Sequence, residues 1–117
     1  MKHFRVTEKS LFLNNGTQVL LPFSVLGAEE VDDVCVVCLD APVGSVHEHK
    51  NVFGISKEGK VLWQIEAMTT SNRPVDTYVA IGRVPERCGV IEAAMFGGDI
   101  FTVDVVNGRI IGRRFGK

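Results

Sequence analysis

Between polar corners, apolar and polar residues alternate along this chain with a period of two. Val61, Trp63 and Ile65 fall on one side of such a run, and Leu62, Gln64 and Glu66 on the other. Thr17, Val19, Leu21 and Phe23 share a face in the same way. The run VCVVCL from Val34 is apolar at every position, the pattern of a central strand covered on both faces. No window of helical length keeps apolar residues at 3.6 spacing without a Gly or Pro inside it. The best helical piece, 27–33, is long enough for a single turn.

Turn signals punctuate the chain at Asn14-Asn15-Gly16, Ala41-Pro42-Val43-Gly44, Glu58-Gly59, Arg73-Pro74, 85–89, Gly97-Gly98 and Asn107-Gly108. They predict strands near 2–7, 11–14, 17–25, 34–40, 51–56, 60–66, 77–84, 90–96, 100–105 and 109–115. Ten antiparallel strands within 117 residues predict one all-β domain over 1–117. They would form a β-sandwich or one strongly coiled sheet, with at most a short helical turn. The longest irregular pieces are 68–76, expected to be a mobile loop, and 42–50.

Two stretches read as one hairpin written twice. NVFGISKEGKVLWQI (51–65) and DIFTVDVVNGRIIGRRF (99–115) each place a polar-Gly pair between β-rich runs. Glu58-Gly59 and Asn107-Gly108 suit the φ > 0 backbone of a tight hairpin.

Composition narrows the function classes. The formal charge of −1 argues against a general nucleic-acid binder, which normally carries a basic excess. The charge is uneven. Residues 1–58 hold five Lys or Arg against eight Asp or Glu, and residues 59–117 hold eight against six. The start, MKHFRVTEKS, has no apolar core of signal-peptide length, and no run approaches the roughly 20 apolar residues of a membrane span. A cytoplasmic location with no membrane partner is expected. Cys35, Cys38 and Cys88 are then expected as reduced thiols.

The first hairpin, NVFGISKEGKVLWQI, resembles the blade motif of PQQ-type β-propellers, with a weaker echo over 100–115. Gly59 and Gly108 lie 49 residues apart, a spacing that suits a blade. A propeller needs about four blades or more to close its ring. Two do not close it, so the cofactor is not carried over and none is expected. The whole chain also resembles a type of small bacterial single-domain protein. Its layout appears here as Cys38-Leu39-Asp40-Ala41-Pro42, 51–65, Tyr78 to Ile81, and 108–117. Some members are similar to immunity proteins of toxin–immunity pairs, including contact-dependent growth inhibition systems. That resemblance implies a protein partner, a cognate toxin domain, and brings no active-site pattern.

Few residues offer chemistry. Cys35 and Cys38 have CxxC spacing, but on a strand residues three apart face opposite sides, so they read as buried structural thiols. His47 and His49 share a side in an extended loop and could hold a metal, yet a tight site needs further ligands. They read as solvated loop histidines, and no metal is expected. Glu29, Glu30, Asp32 and Asp33 form the densest charge cluster. Its plain reading is a solvated turn between strands; its functional reading is an acidic patch for a basic partner such as a nuclease toxin. Leu26 and Val31 beside it would supply an apolar contact. Arg109, Arg113, Arg114 and Lys117 read as a charged edge strand that resists unwanted pairing. The serines lack any triad-like context, and no phosphate-binding glycine loop occurs.

The expectation is a non-enzymatic protein-binding domain, an immunity protein occluding a toxin's active site with Glu29, Glu30, Asp32 and Asp33. The alternatives are a small-ligand or metal-binding β module or small enzyme using His47 and His49, and an oligomeric structural domain.

Overall fold

A computed structural model describes residues 1–68 and 76–115. Residues 69–75, most of the expected loop at 68–76, and Lys117 lie outside the described residues. The described chain forms strands only. The first sheet contains β1 (Phe4–Val6), β2 (Ser10–Leu13) and β3 (Gln18–Leu20). The middle sheet contains β4 (Val25–Val31), β5 (Val34–Leu39), β6 (Val52–Ser56) and β7 (Val61–Gln64). The last contains β8 (Tyr78–Arg83), β9 (Val90–Met95), β10 (Asp99–Asp104) and β11 (Ile110–Phe115). Every pairing is antiparallel and joins sequence neighbours. No described helix is long and apolar enough to cross a membrane.

The all-apolar run at Val34 explains the stacking. All six residues of β5 are buried. Val34, Val36 and Cys38 join Tyr78, Ile91, Phe101 and Val103 in a core shared with the last sheet. Cys35, Val37 and Leu39 join Phe4, Leu11 and Leu13 in a second core shared with the first sheet. Strand alternation thus sends one strand's side chains into two cores, and the middle sheet is the filling of a three-layer stack.

The repeated hairpins occupy equivalent places. The pair β6–β7 ends one four-stranded meander and β10–β11 ends the other. The two meanders stack face to face across one core. Their turns differ from the expected form. Gly59 (φ 90) and Gly108 (φ 76) are left-handed, but Glu58 and Asn107 are not. Each loop therefore places its single left-handed residue on glycine. A two-residue turn with both φ angles positive occurs instead at Asp32 (φ 52) and Asp33 (φ 66), between the paired Val31 and Val34.

Two further expectations give way. The piece at 27–33 is not a helical turn: 27–31 is the larger part of β4 and Asp32-Asp33 the tight turn after it, and the expected strand 17–25 divides around Pro22. Gly, Ala and Glu have little strand preference of their own; pairing along the whole of β5 overrides it. Val61 does not share the face of Trp63. The register pairs Gly54 with Trp63 and Ile55 with Val61, leaving Leu62 as an extra residue that turns Val61 to the other side. Val61 is accordingly exposed while Trp63 and Ile65 are buried.

Cys35 and Cys38 lie in different cores, as alternation requires. Burial pushes both thiols up to about 12. Cys88 is exposed between β8 and β9. A thiol reagent such as DTNB at pH 8 is expected to modify one cysteine per native chain and all three after denaturation. Fast reaction of two or more native thiols would refute the buried placement.

Candidate functional site

The tight turn at Asp32-Asp33 organises the acidic cluster. Aspartate tolerates the left-handed region better than most residues, and two such residues in succession match the twist of the flanking strands. Along β4, Glu29 pairs with Val36 and Glu30 with Cys35. The two glutamates therefore point to opposite faces, Glu29 toward the last sheet and Glu30 toward the first.

Glu30 meets the start of the chain. Its Oε1 accepts hydrogen bonds from the Lys2 amide at 2.8 Å and the His3 amide at 2.9 Å. Its Oε2 lies 2.5 Å from His3 Nδ1. Burial would push the Glu30 carboxyl up, but the hydrogen bonds from the His3 amide and ring and the Lys2 amide outweigh it and hold the group below its ordinary value. With the folded value depressed, this carboxylate stabilises the fold at neutral pH, and the contribution fades as pH falls below the ordinary carboxylate range. Asp33 Oδ1 lies 3.3 Å from the same His3 nitrogen, and its Oδ2 is 3.7 Å from Lys57 Nζ.

The cluster is thus two pairs of different character. Glu30 and Asp33 converge on His3. Glu29 and Asp32 carry no ion pair among the described residues. Met1, Lys2, Glu29, Glu30, Asp32, Asp33 and Arg83 line an open hollow of about 360 Å³. Lys2 and Arg83 line the same hollow and Lys57 lies beside Asp33, so the four carboxylates are partly offset. Leu26, displaced by a bulge between Val25 and Gly27, is half-exposed on the same strand, whereas Val31 is in the core.

The other singled-out residues go elsewhere. His47 packs edge-on against Phe23 and Phe53, and its Nδ1 accepts from Gln64 Nε2 at 3.1 Å. His49 bonds the Asp76 carbonyl through Nδ1 at 3.2 Å, and its Nε2 lies 3.5 Å from Glu48. Neither is a free loop imidazole, and among the described residues the two do not converge on a shared point with a third ligand. Arg113 is held by Asp99 at 3.3 Å and stacks over Phe101. Arg114 grips Glu92 with two nitrogens at 3.0 and 3.1 Å. Both lie on β11, an edge strand, with their charges answered within the same sheet.

His3 is the residue that sequence reasoning passed over. It stands 27 positions from Glu30, and no local spacing links them. Only the packing of β1 beside β4 brings them together.

Comparison with known proteins gives a family and no activity. Residues 1–115 match the family described as Domain of unknown function (DUF7957). None of the curated proteins matches the chain.

Proposed function

We propose that this chain, which belongs to the DUF7957 family, is a non-enzymatic protein-binding domain of the bacterial cytoplasm. In this reading it is the immunity partner of a toxin and occludes that toxin's basic active site. The observation that carries the reading is the exposed Asp32-Asp33 turn, with Glu29 and Asp32 unpaired among the described residues and Leu26 half-exposed at the far end of β4. Unpaired carboxylates steer a basic partner during encounter, and the half-exposed leucine on the same strand offers a contact that can be desolvated once a partner large enough to span β4 arrives. Glu30 and Asp33 hold the turn against His3, so the surface is presented in one geometry and little ordering accompanies binding.

The direct test is co-expression with the toxin domain encoded beside this chain. Rescue of growth is the expected result, and arrest despite co-expression would end the proposal. The patch has its own test. In Glu29→Gln with Asp32→Asn, the bonds of Glu30 and Asp33 remain and asparagine tolerates the left-handed turn. Association with the toxin at low salt should slow about tenfold, with dissociation little changed. An unchanged on-rate would remove this patch from the interface.

A further inference from the structure

We infer that His3, Glu30 and Asp33 form a binding site for a divalent transition-metal ion, Zn²⁺ above all. This inference does not depend on the protein-binding reading. Three donor atoms, one from each residue, lie within 4.8 Å of one another. The group is more than a carboxylate cluster. The segment before β1 supplies an imidazole nitrogen, β4 supplies one carboxylate and the β4–β5 turn another, so the ligands arrive from three backbone positions.

The distances suit the ion. Zinc–nitrogen and zinc–oxygen bonds are about 2.0–2.2 Å, which sets neighbouring tetrahedral ligands about 3.3 Å apart. His3 Nδ1 and Asp33 Oδ1 already stand 3.3 Å apart. His3 Nδ1 and Glu30 Oε2, at 2.5 Å, must open by roughly 0.8 Å to admit the ion. The His3 ring is anchored at its own amide, which donates to Glu30 Oε1, so the backbone stays in place while the ring turns. Glu30 Oε1 and Asp33 Oδ2 are engaged by the Lys2 and His3 amides and by Lys57, so each carboxylate presents its other oxygen. That engagement orients the ligands from behind, as outer partners do in metal sites.

Room for the remaining ligands exists on both sides. Beyond the 360 Å³ hollow, His3, Asn14, Asn15, Lys57 and Glu58 line a second open space of about 290 Å³. Water can complete the coordination from either. One imidazole with two carboxylates and no thiolate suits zinc or manganese. Calcium, which takes six to eight oxygen ligands, is poorly served.

Zinc chloride titrated by calorimetry into the tag-free full-length chain tests the site. One equivalent should bind saturably. His3→Ala and Asp33→Asn should each weaken binding by at least about tenfold. Asp33→Asn preserves a residue that tolerates φ 66, so it reports on the ligand and leaves the turn intact. Glu29→Gln removes the same charge from a residue outside the ligand set and should bind like the parent chain. No binding by the parent chain would overturn the inference. So would equal weakening by Glu29→Gln, which would reduce the effect to diffuse charge. Loss on replacing His47 and His49, with His3→Ala unaffected, would likewise overturn it.

Discussion

Gly54→Ala is expected to destabilise the protein by about 2–6 kcal/mol, measured by urea unfolding. Gly54 sits opposite Trp63 across the β6–β7 pair. A Cβ added there would lie 2.2 Å from Trp63 Cε2 and 2.4 Å from Nε1, closer than atoms can approach. The indole cannot simply step aside. At Gly108 an added Cβ would meet its other atoms at 2.5 and 2.6 Å, so a second glycine confines it. Its Nε1 also donates to the Val105 carbonyl at 2.7 Å. Moving the ring therefore breaks a buried hydrogen bond as well as the packing. Overpacking alone is worth roughly 1–3 kcal/mol. An unsatisfied buried carbonyl adds about 1–3 kcal/mol. Gly82→Ala is the control: its Cβ would meet nothing within 4 Å, so it should be neutral or stabilise by about 0.5–1 kcal/mol. Equal stability of Gly54→Ala and Gly82→Ala would refute the account of the Trp63 slot.

Asn51→Leu should lose about 3–5 kcal/mol despite keeping the same branched side-chain skeleton and adding apolar surface. Asn51 is buried, and its amide joins the two meanders. Nδ2 donates to the Leu39 carbonyl at 2.8 Å and to the Tyr78 carbonyl at 2.7 Å. Oδ1 accepts from the Tyr78 amide at 3.2 Å. Leucine would leave these groups without their side-chain partner where water does not reach. Asn51→Asp separates shape from hydrogen bonding. At neutral pH a carboxylate would face two carbonyl oxygens with no proton to share, and burial would raise its pKa. The protonated form restores one donor. The stability deficit of Asn51→Asp against the parent chain should therefore shrink as pH falls toward 4. A deficit independent of pH, or a neutral Asn51→Leu, would show that this amide is not what ties the sheets.

Much of the architecture was readable before any coordinates. Period-two alternation and glycine corners yielded the strands, because a half-buried strand must alternate and a tight reversal needs φ > 0. The unbroken run at Val34 marked β5 as covered on both faces, since only such a strand can be apolar throughout. The strand β4 was not legible. Its Gly27, Ala28, Glu29 and Glu30 have no local preference for extension, and their conformation comes from the ladder to β5. The bulge at Leu62 was equally hidden, because it arises from the register between two strands, and one inserted residue reverses the facing of Val61.

The candidate site divides along the same line. The chain alone marked Glu29, Glu30, Asp32 and Asp33 as a dense patch of negative charge, a property of neighbours in sequence. It also excluded a Cys35–Cys38 pair, because the two positions fall on opposite sides of any strand. Tertiary structure decided how those carboxylates differ. Strand alternation turned Glu29 from Glu30, the left-handed turn swung Asp33 back, and the docking of β1 delivered His3 to both. Contacts between residues 27 or more positions apart depend on sheet register and layer stacking, which arise from the summed burial of two cores and leave no mark in any short stretch of residues.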